Sequence, residues 1–258
     1  MKEKSRYYQI HSIVKTFGLI EALVSEREVE LSHLCRQLKL PKTTVHRILL
    51  TLESLGYVKQ NPANSKYLAS IKFFEIGRQV ARRLNFIETA HAHLVTLSEK
   101  TGETINLGVL DGVDVVCVDK VESKQQLKQD QPIGARHKAY CTSFGKAILA
   151  FLPDEERLRR LPQGTIIPFT PNSLRSARAI EQNLRMVREK GYAEDKEEGT
   201  RGVRCVGAPI FDQDGKVVAG ISIAGPSLRI RKDQIPRLAK LVKKAAASIS
   251  EELGAHVV

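Results

Sequence analysis

The chain has 258 residues, 42% hydrophobic and 27% charged, enough for two medium domains with real cores. No apolar run approaches the roughly 20 residues a spanning helix needs, and the charged start MKEKSRYYQ leads into no signal-peptide core, so a soluble cytoplasmic protein is expected. A net charge of +12 favours a polyanionic partner, but residues 1–75 hold 12 Lys/Arg against 7 Asp/Glu, a net +5 that leaves +7 for the rest, so charge alone locates no nucleic-acid site.

Residues 8–24 read as a helix, with Ile10, Ile13, Val14, Phe17, Ile20, Ala22 and Leu23 forming a broad apolar stripe. Glu28-Val29-Glu30 is a short extended link, and Ser32 is a candidate cap for the next helix. Leu31, Leu34, Cys35 and Leu38 fall at i, i+3, i+4, i+7 on one helical face; Val45, Ile48, Leu49, Leu52 and Leu55 repeat the pattern on a second helix. Leu40-Pro41 forces a turn between them, because proline biases its predecessor out of the helical region, and Pro41 suits the first helical position.

The other face of the second helix carries Lys42, Thr43, Thr44, His46, Arg47 and Thr51, with no acid before Glu53. Gly56 stops it, and Tyr57–Gln60, a turn over 61–65, and Lys66–Leu68 read as strand, turn, strand. Three helices and a hairpin describe a winged helix-turn-helix. The major groove of B-DNA admits one helix. Arg47 offers a fork to guanine or phosphate, and Lys42, Thr43, Thr44 and His46 stand where such a helix meets the duplex. Lys59 and Lys66 on the wing would hold flanking phosphates. The alternative is a surface helix with solvated charges, whose bundle serves assembly.

Residues 71–90 suggest a linker helix in which Phe73 and Phe74 are expected to pack against a second copy or the second domain. A further helix runs to Lys100 and stops at Thr101-Gly102. Thr104–Leu110 and Val113–Val121 then form a β-branched hairpin about Asp111-Gly112, and Glu122–Gln131 reads as loop or edge strand. Helices follow at 141–152, 154–161 and 174–190; a second hairpin spans 203–224, and an amphipathic helix closes the chain over 232–253. The overall class is α+β, divided into a head (7–69), a linker helix (70–83) and a C-terminal domain (84–258) with helices flanking an antiparallel sheet.

Cys35, Cys117, Cys141 and Cys205 form no CxxC pair, which suits free thiols better than a disulfide frame or a zinc cage. No GxSxG elbow, HExxH helix or phosphate-cradling loop is present, and the sole histidine between His93 and His256 is His137. No enzyme activity, metal or cofactor is expected.

The runs LPKTTVHRILLTLESLGYV, TGETINLGVLDG, FGKAILAFLP, REKGYAEDKEEGTRGVRCVGAPIFD and GKVVAGISIAGPSLR, in that order, resemble the IclR-type transcriptional regulators over essentially the whole chain. The wording of TINLGVLDG and EEGTRGVRCV is similar to the branch that answers to 2-keto-3-deoxygluconate. The resemblance implies a winged helix-turn-helix head, a linker helix and a GAF-like effector-binding domain. It also implies a repressor that, as a homodimer or dimer of dimers, binds a near-palindromic operator under control of a small carboxylate such as a keto or sugar acid. Carried over residue by residue, it implies that Ser143, Phe144, Asp195, Val203, Cys205 and Ser222 contact the effector. Phe144 stands where smaller residues are usual, and Ala224 replaces a pocket serine. Read without the resemblance, Cys205 is a small core residue, Ser222 satisfies a backbone group and Asp195 belongs to a solvated acidic run.

Overall fold

The computed structural model describes residues 9–82 and 86–255, which fall into two units dividing at residues 84–85. In the first, α1 (His11–Val24), α2 (Leu31–Leu38) and α3 (Lys42–Ser54) precede a two-stranded wing, β1 (Val58–Gln60) and β2 (Tyr67–Ala69), and then α4 (Lys72–Arg82). The predicted apolar faces of α2 and α3 meet: Leu34, Val45, Leu49 and Leu52 are buried with Leu19, Leu23, Val29, Val58 and Tyr67 in one small core. Burying such side chains contributes about 1.5–3 kcal/mol each. Val29 joins the wing as a third, one-residue strand, exchanging both backbone hydrogen bonds with Tyr67 at 2.8 Å.

Several local expectations are corrected. Ser32 caps nothing: α2 begins at Leu31 behind an extended Glu30, and the Ser32 hydroxyl donates to the Glu30 carboxylate. Pro41 is the residue before α3 and not its first residue, and its carbonyl accepts from Thr44 and Val45. The turn is closed by Lys39 in the left-handed region (φ 53°), which the proline rule does not foresee. The stripe on α1 splits, because Leu19, Ala22 and Leu23 face the core whereas Ile10, Ile13, Val14 and Phe17 are exposed. Phe73 packs on Tyr57 of its own head, ring centroids 5.2 Å apart; Phe74, exposed within the single chain, is left open to a second copy.

The second unit is built on a six-stranded antiparallel sheet. Its strands are β3 (Thr104–Asp111), β4 (Asp114–Val121), β5 (Arg136–Lys138), β6 (Ala193–Lys196), β7 (Val203–Phe211) and β8 (Val217–Pro226), in the order β5-β4-β3-β8-β7-β6. The two predicted hairpins, β3–β4 and β7–β8, lie side by side through β3 and β8. The edge strands β5 and β6 are too short and polar to announce themselves by alternation, and went unread. Helices α5 (Phe86–Thr101), α6 (Ser143–Phe151), α7 (Asp154–Arg160), α8 (Ala177–Lys190) and α9 (Ile235–Glu252) complete the unit.

Helix α6 begins two residues later than expected, after a 3-10 turn at Ala139–Cys141, with Thr142 as its cap through Gly145 N–H. Its first turn lies directly on the sheet. A Cβ on Gly220 would collide with the Phe144 carbonyl, and one on Gly108 with the Phe144 ring, so glycine in those strands lets the helix seat there. The opposite face, with Ile105, Leu107, Val206, Ile221 and Ile223, is buried against α5 and α9.

Candidate DNA interface and ligand cavity

On the head, burial of Val45, Leu49 and Leu52 turns Lys42, Thr43, His46 and Arg47 outward, with Thr44 half-buried at the edge. Among the described residues, Lys42, His46, Arg47 and Lys59 make no ion pair, and Lys66 has only a 4.0 Å approach to Glu30. The face divides into two grooves. Lys42, Thr43 and His46 line one with Gln60 and Ser65 of the wing; Thr44, Arg47 and Thr51 line the other with Ser12, Lys15 and Thr16 of α1. Gln60, Ser65 and the α1 trio are absent from the sequence reading. The trio's polar i, i+3, i+4 spacing was there to see, hidden behind the apolar stripe.

In the sheet unit, one face of four adjacent strands gathers the other candidates. Asp195, Cys205, Ala224 and Thr104 are cross-strand neighbours in turn, and Ser222 sits opposite Asn106. With Phe144, all of these but Thr104 border a cavity of about 260 Å³, just below the usual range for ligand sites. Phe144, Asp195, Val203, Cys205 and Ser222 all line it; Ser143 does not, although it is wholly buried. Asn106, Gln129, Gln131, His137, Thr200 and Phe169 contribute as well, and the sequence reading missed them.

The cavity's polar groups are incompletely satisfied. Among the described residues, Asn106 Oδ1, Gln129 Oε1, His137 Nε2 and Ser222 Oγ are buried without a hydrogen-bond partner, as are Ser143 Oγ and Glu198 Oε2 nearby. A buried polar atom left unpaired costs roughly 1–3 kcal/mol, so these atoms call for water or a polar guest to complete their bonds.

Asp195 is not part of a solvated run. It is buried, accepts the Glu198 N–H at 2.7 Å, and faces the ion pair of Lys146 Nζ with Glu198 Oε1 at 2.6 Å. Burial pushes its carboxyl up to about 7, with Glu198 adding to the rise and Lys146 opposing it. Lys146, fully buried, is the cation that sequence reading passed over. Thr170 and Ser173 hydroxyls donate at 2.6 Å to the Glu197 and Glu198 carbonyls and hold this segment in place. Burial also pushes the Cys141 thiol up to about 12 and Cys205 well above its ordinary range, so neither is a thiolate at neutral pH.

A winged helix-turn-helix with an open cationic face, joined to a sheet unit that carries a polar cavity, defines a DNA-binding regulator as a class. Comparison with known proteins makes this specific. Residues 12–62 match the IclR helix-turn-helix domain and residues 78–251 the C-terminal domain of bacterial transcriptional regulator IclR. The chain belongs to the IclR family of DNA-binding transcriptional regulators.

It is 36% identical over 248 residues to the HTH-type transcriptional regulator KdgR of Escherichia coli, covering 96% of this chain and 94% of that one. It is 31% identical to the transcriptional repressor IclR of the same organism over 95% of this chain and 91% of that protein. Among solved structures, the Thermotoga maritima IclR superposes with a TM-score of 0.82 at 33% identity, covering 95% of this chain and all (100%) of that one. Its relatives are regulators rather than enzymes, and among the described residues no helix is long and apolar enough to cross a membrane.

Proposed function

We propose that this protein is a repressor whose grip on a near-palindromic operator is controlled by a small carboxylate, a keto or sugar acid, bound in the sheet unit's cavity. The observation that carries the reading is the buried Asp195 beside unpaired Asn106, Gln129 and Ser222 atoms, in a cavity of metabolite size. A ligand rich in hydroxyls satisfies such a lining; a purely apolar one leaves it unpaired. On the head, Arg47 reads a base or grips a phosphate, and Lys42, Thr43, Thr44 and His46 line the same approach, with Lys59 and Lys66 on the flanking backbone.

A second copy is needed, since two heads must meet half-sites about 34 Å apart. The exposed faces of α1 (Ile10, Ile13, Val14, Phe17) and α4 (Ile76, Val80) support that pairing, which serves equally the alternative of a head used for assembly. A ligand preference of ~1–3 kcal/mol between two arrangements of the sensing units suffices to change head spacing and operator affinity.

The test combines two steps. Selection of bound fragments from genomic DNA yields the operator, and thermal-shift titration with 2-keto-3-deoxygluconate, other sugar acids and short keto acids yields the effector. A true effector at a hundredfold excess over Kd adds about 2.7 kcal/mol of stability and changes operator affinity. Failure to select any duplex sequence removes the DNA reading in favour of assembly.

A further inference from the structure

The wing's tip is held from outside by an acid. Glu28, in the link between α1 and α2, accepts Asn61 Nδ2 on one carboxylate oxygen and Asn64 Nδ2 on the other, each at 2.9 Å. The oxygens of those two amides are themselves in use: Asn61 Oδ1 accepts Ala63 N–H, and Asn64 Oδ1 accepts Lys66 N–H, each at 3.0 Å. Between them, Ser65 is held left-handed (φ 59°), its N–H given to the Asn61 carbonyl and its own carbonyl bonded by Gln60 Nε2. The Asn64 and Asn61 amides hold the Glu28 carboxyl below its ordinary range, so it is fully ionised at neutral pH. Both asparagine amides of this tip thus end on one carboxylate.

An acid in this place is otherwise hard to account for. Beside a surface that meets phosphate, a carboxylate repels the partner and lowers affinity. We propose that Glu28 is a positioning residue for DNA binding: it fixes the wing tip in one shape, so that Lys66 and the tip backbone meet the phosphates flanking the recognition helix already ordered. Lys66 is the group that gains most, because its N–H is the one Asn64 captures. Ordering the tip in advance removes a conformational cost from the binding step, and this outweighs the charge. The proposal rests on the reading of the head as a DNA-binding unit.

Electrostatics and positioning predict opposite signs, which makes the test decisive. Binding of a fluorescent random-sequence duplex by the full-length protein is measured by anisotropy across a salt series, because phosphate contacts need no operator. Glu28→Ala should weaken binding about fivefold, the worth of one modest contact, and flatten the salt slope by roughly one unit. Glu28→Gln, which keeps one acceptor, should lose less. Glu26→Ala removes the same charge from the same link, where it faces only His33 at 3.5 Å, and should tighten binding slightly. In the Lys66→Ala background, Glu28→Ala should have little further effect.

The proposal is overturned if Glu28→Ala tightens binding as Glu26→Ala does, or weakens it equally with and without Lys66. Arg47→Ala separates the two levels: if it weakens binding while Glu28→Ala does not, only Glu28 loses its role. If neither changes it, the DNA-facing head fails and this proposal with it.

Discussion

Replacing Asp195 by asparagine should make the protein more stable and deaf to its effector at once. The side chain is only 6% exposed, and burial raises its pKa from 3.8 to about 7. An acid whose pKa rises on folding holds its proton more tightly in the folded chain. Its stabilising effect is therefore fully present below the unfolded value near 3.8 and is lost progressively as pH climbs to about 7. A rise of roughly three units corresponds to about 4 kcal/mol. Asparagine keeps the shape and the acceptor for the Glu198 N–H without the charge. At about pH 8 the variant should gain up to about 4 kcal/mol, or on the order of 10 °C in Tm for a unit of this size. Near pH 4 the two curves should meet. Thermal unfolding of both proteins across that range measures the difference directly, with all other titrations cancelling. Parallel curves would refute the account of a destabilising buried acid, and a normal ligand response in the variant would refute its place in recognition.

Other substitutions probe the remaining links. Arg47→Ala should weaken operator binding by about 1–3 kcal/mol and relax preference at one base pair; equal loss on random duplex would make it a phosphate anchor. Lys59→Ala should weaken all sequences alike and reduce the salt slope by about one unit, which anisotropy across a salt series reads. Gly108→Ala should drive the Phe144 ring toward the cavity, costing about 1–3 kcal/mol and blunting the thermal-shift response, with Phe144→Leu restoring both. Lys146→Met leaves Glu198 as a lone buried charge and should cost about 3–5 kcal/mol in chemical denaturation, whereas the double change with Glu198→Leu should recover most of it.

How far the fold was legible depended on how much apolar surface each element commits. Helices α2 and α3 turn most of a stripe to the core, so the positions of Leu34, Val45, Leu49 and Leu52 could be read from spacing alone, whereas Leu55 on the same spacing is exposed. The hairpins were equally plain, because β-branched runs flank Asp111-Gly112 and Asp214-Gly215. Where an apolar run has two destinations, periodicity cannot choose between them: on α1 the same pattern serves a buried face and an exposed one. Edge strands β5 and β6 take their identity from a neighbour's free hydrogen bonds, a long-range fact that Arg136-His137-Lys138 and Ala193–Lys196 do not carry locally.

The two sites were legible for different reasons. A DNA face is a local property of one helix, since a residue on the opposite side from Val45 and Leu49 must face out, and its charge is visible in the letter. The cavity is assembled from all six strands, a helix start and three loops, so no spacing rule brings Gln129 to Ser222; the resemblance supplied five lining residues and nothing about their state. That state comes from the partners. Glu194 to Glu198 reads as a hydrated acidic run until β6 pairs with β7, which turns Asp195 inward beside Cys205 and sets Glu198 on Lys146. Two carboxylates and one ammonium then share a buried space, and the acid without its own cation is pushed up to about 7. The burial of Asp195 and the placing of Glu198 on Lys146 are therefore consequences of one strand pairing, not of any residue taken singly.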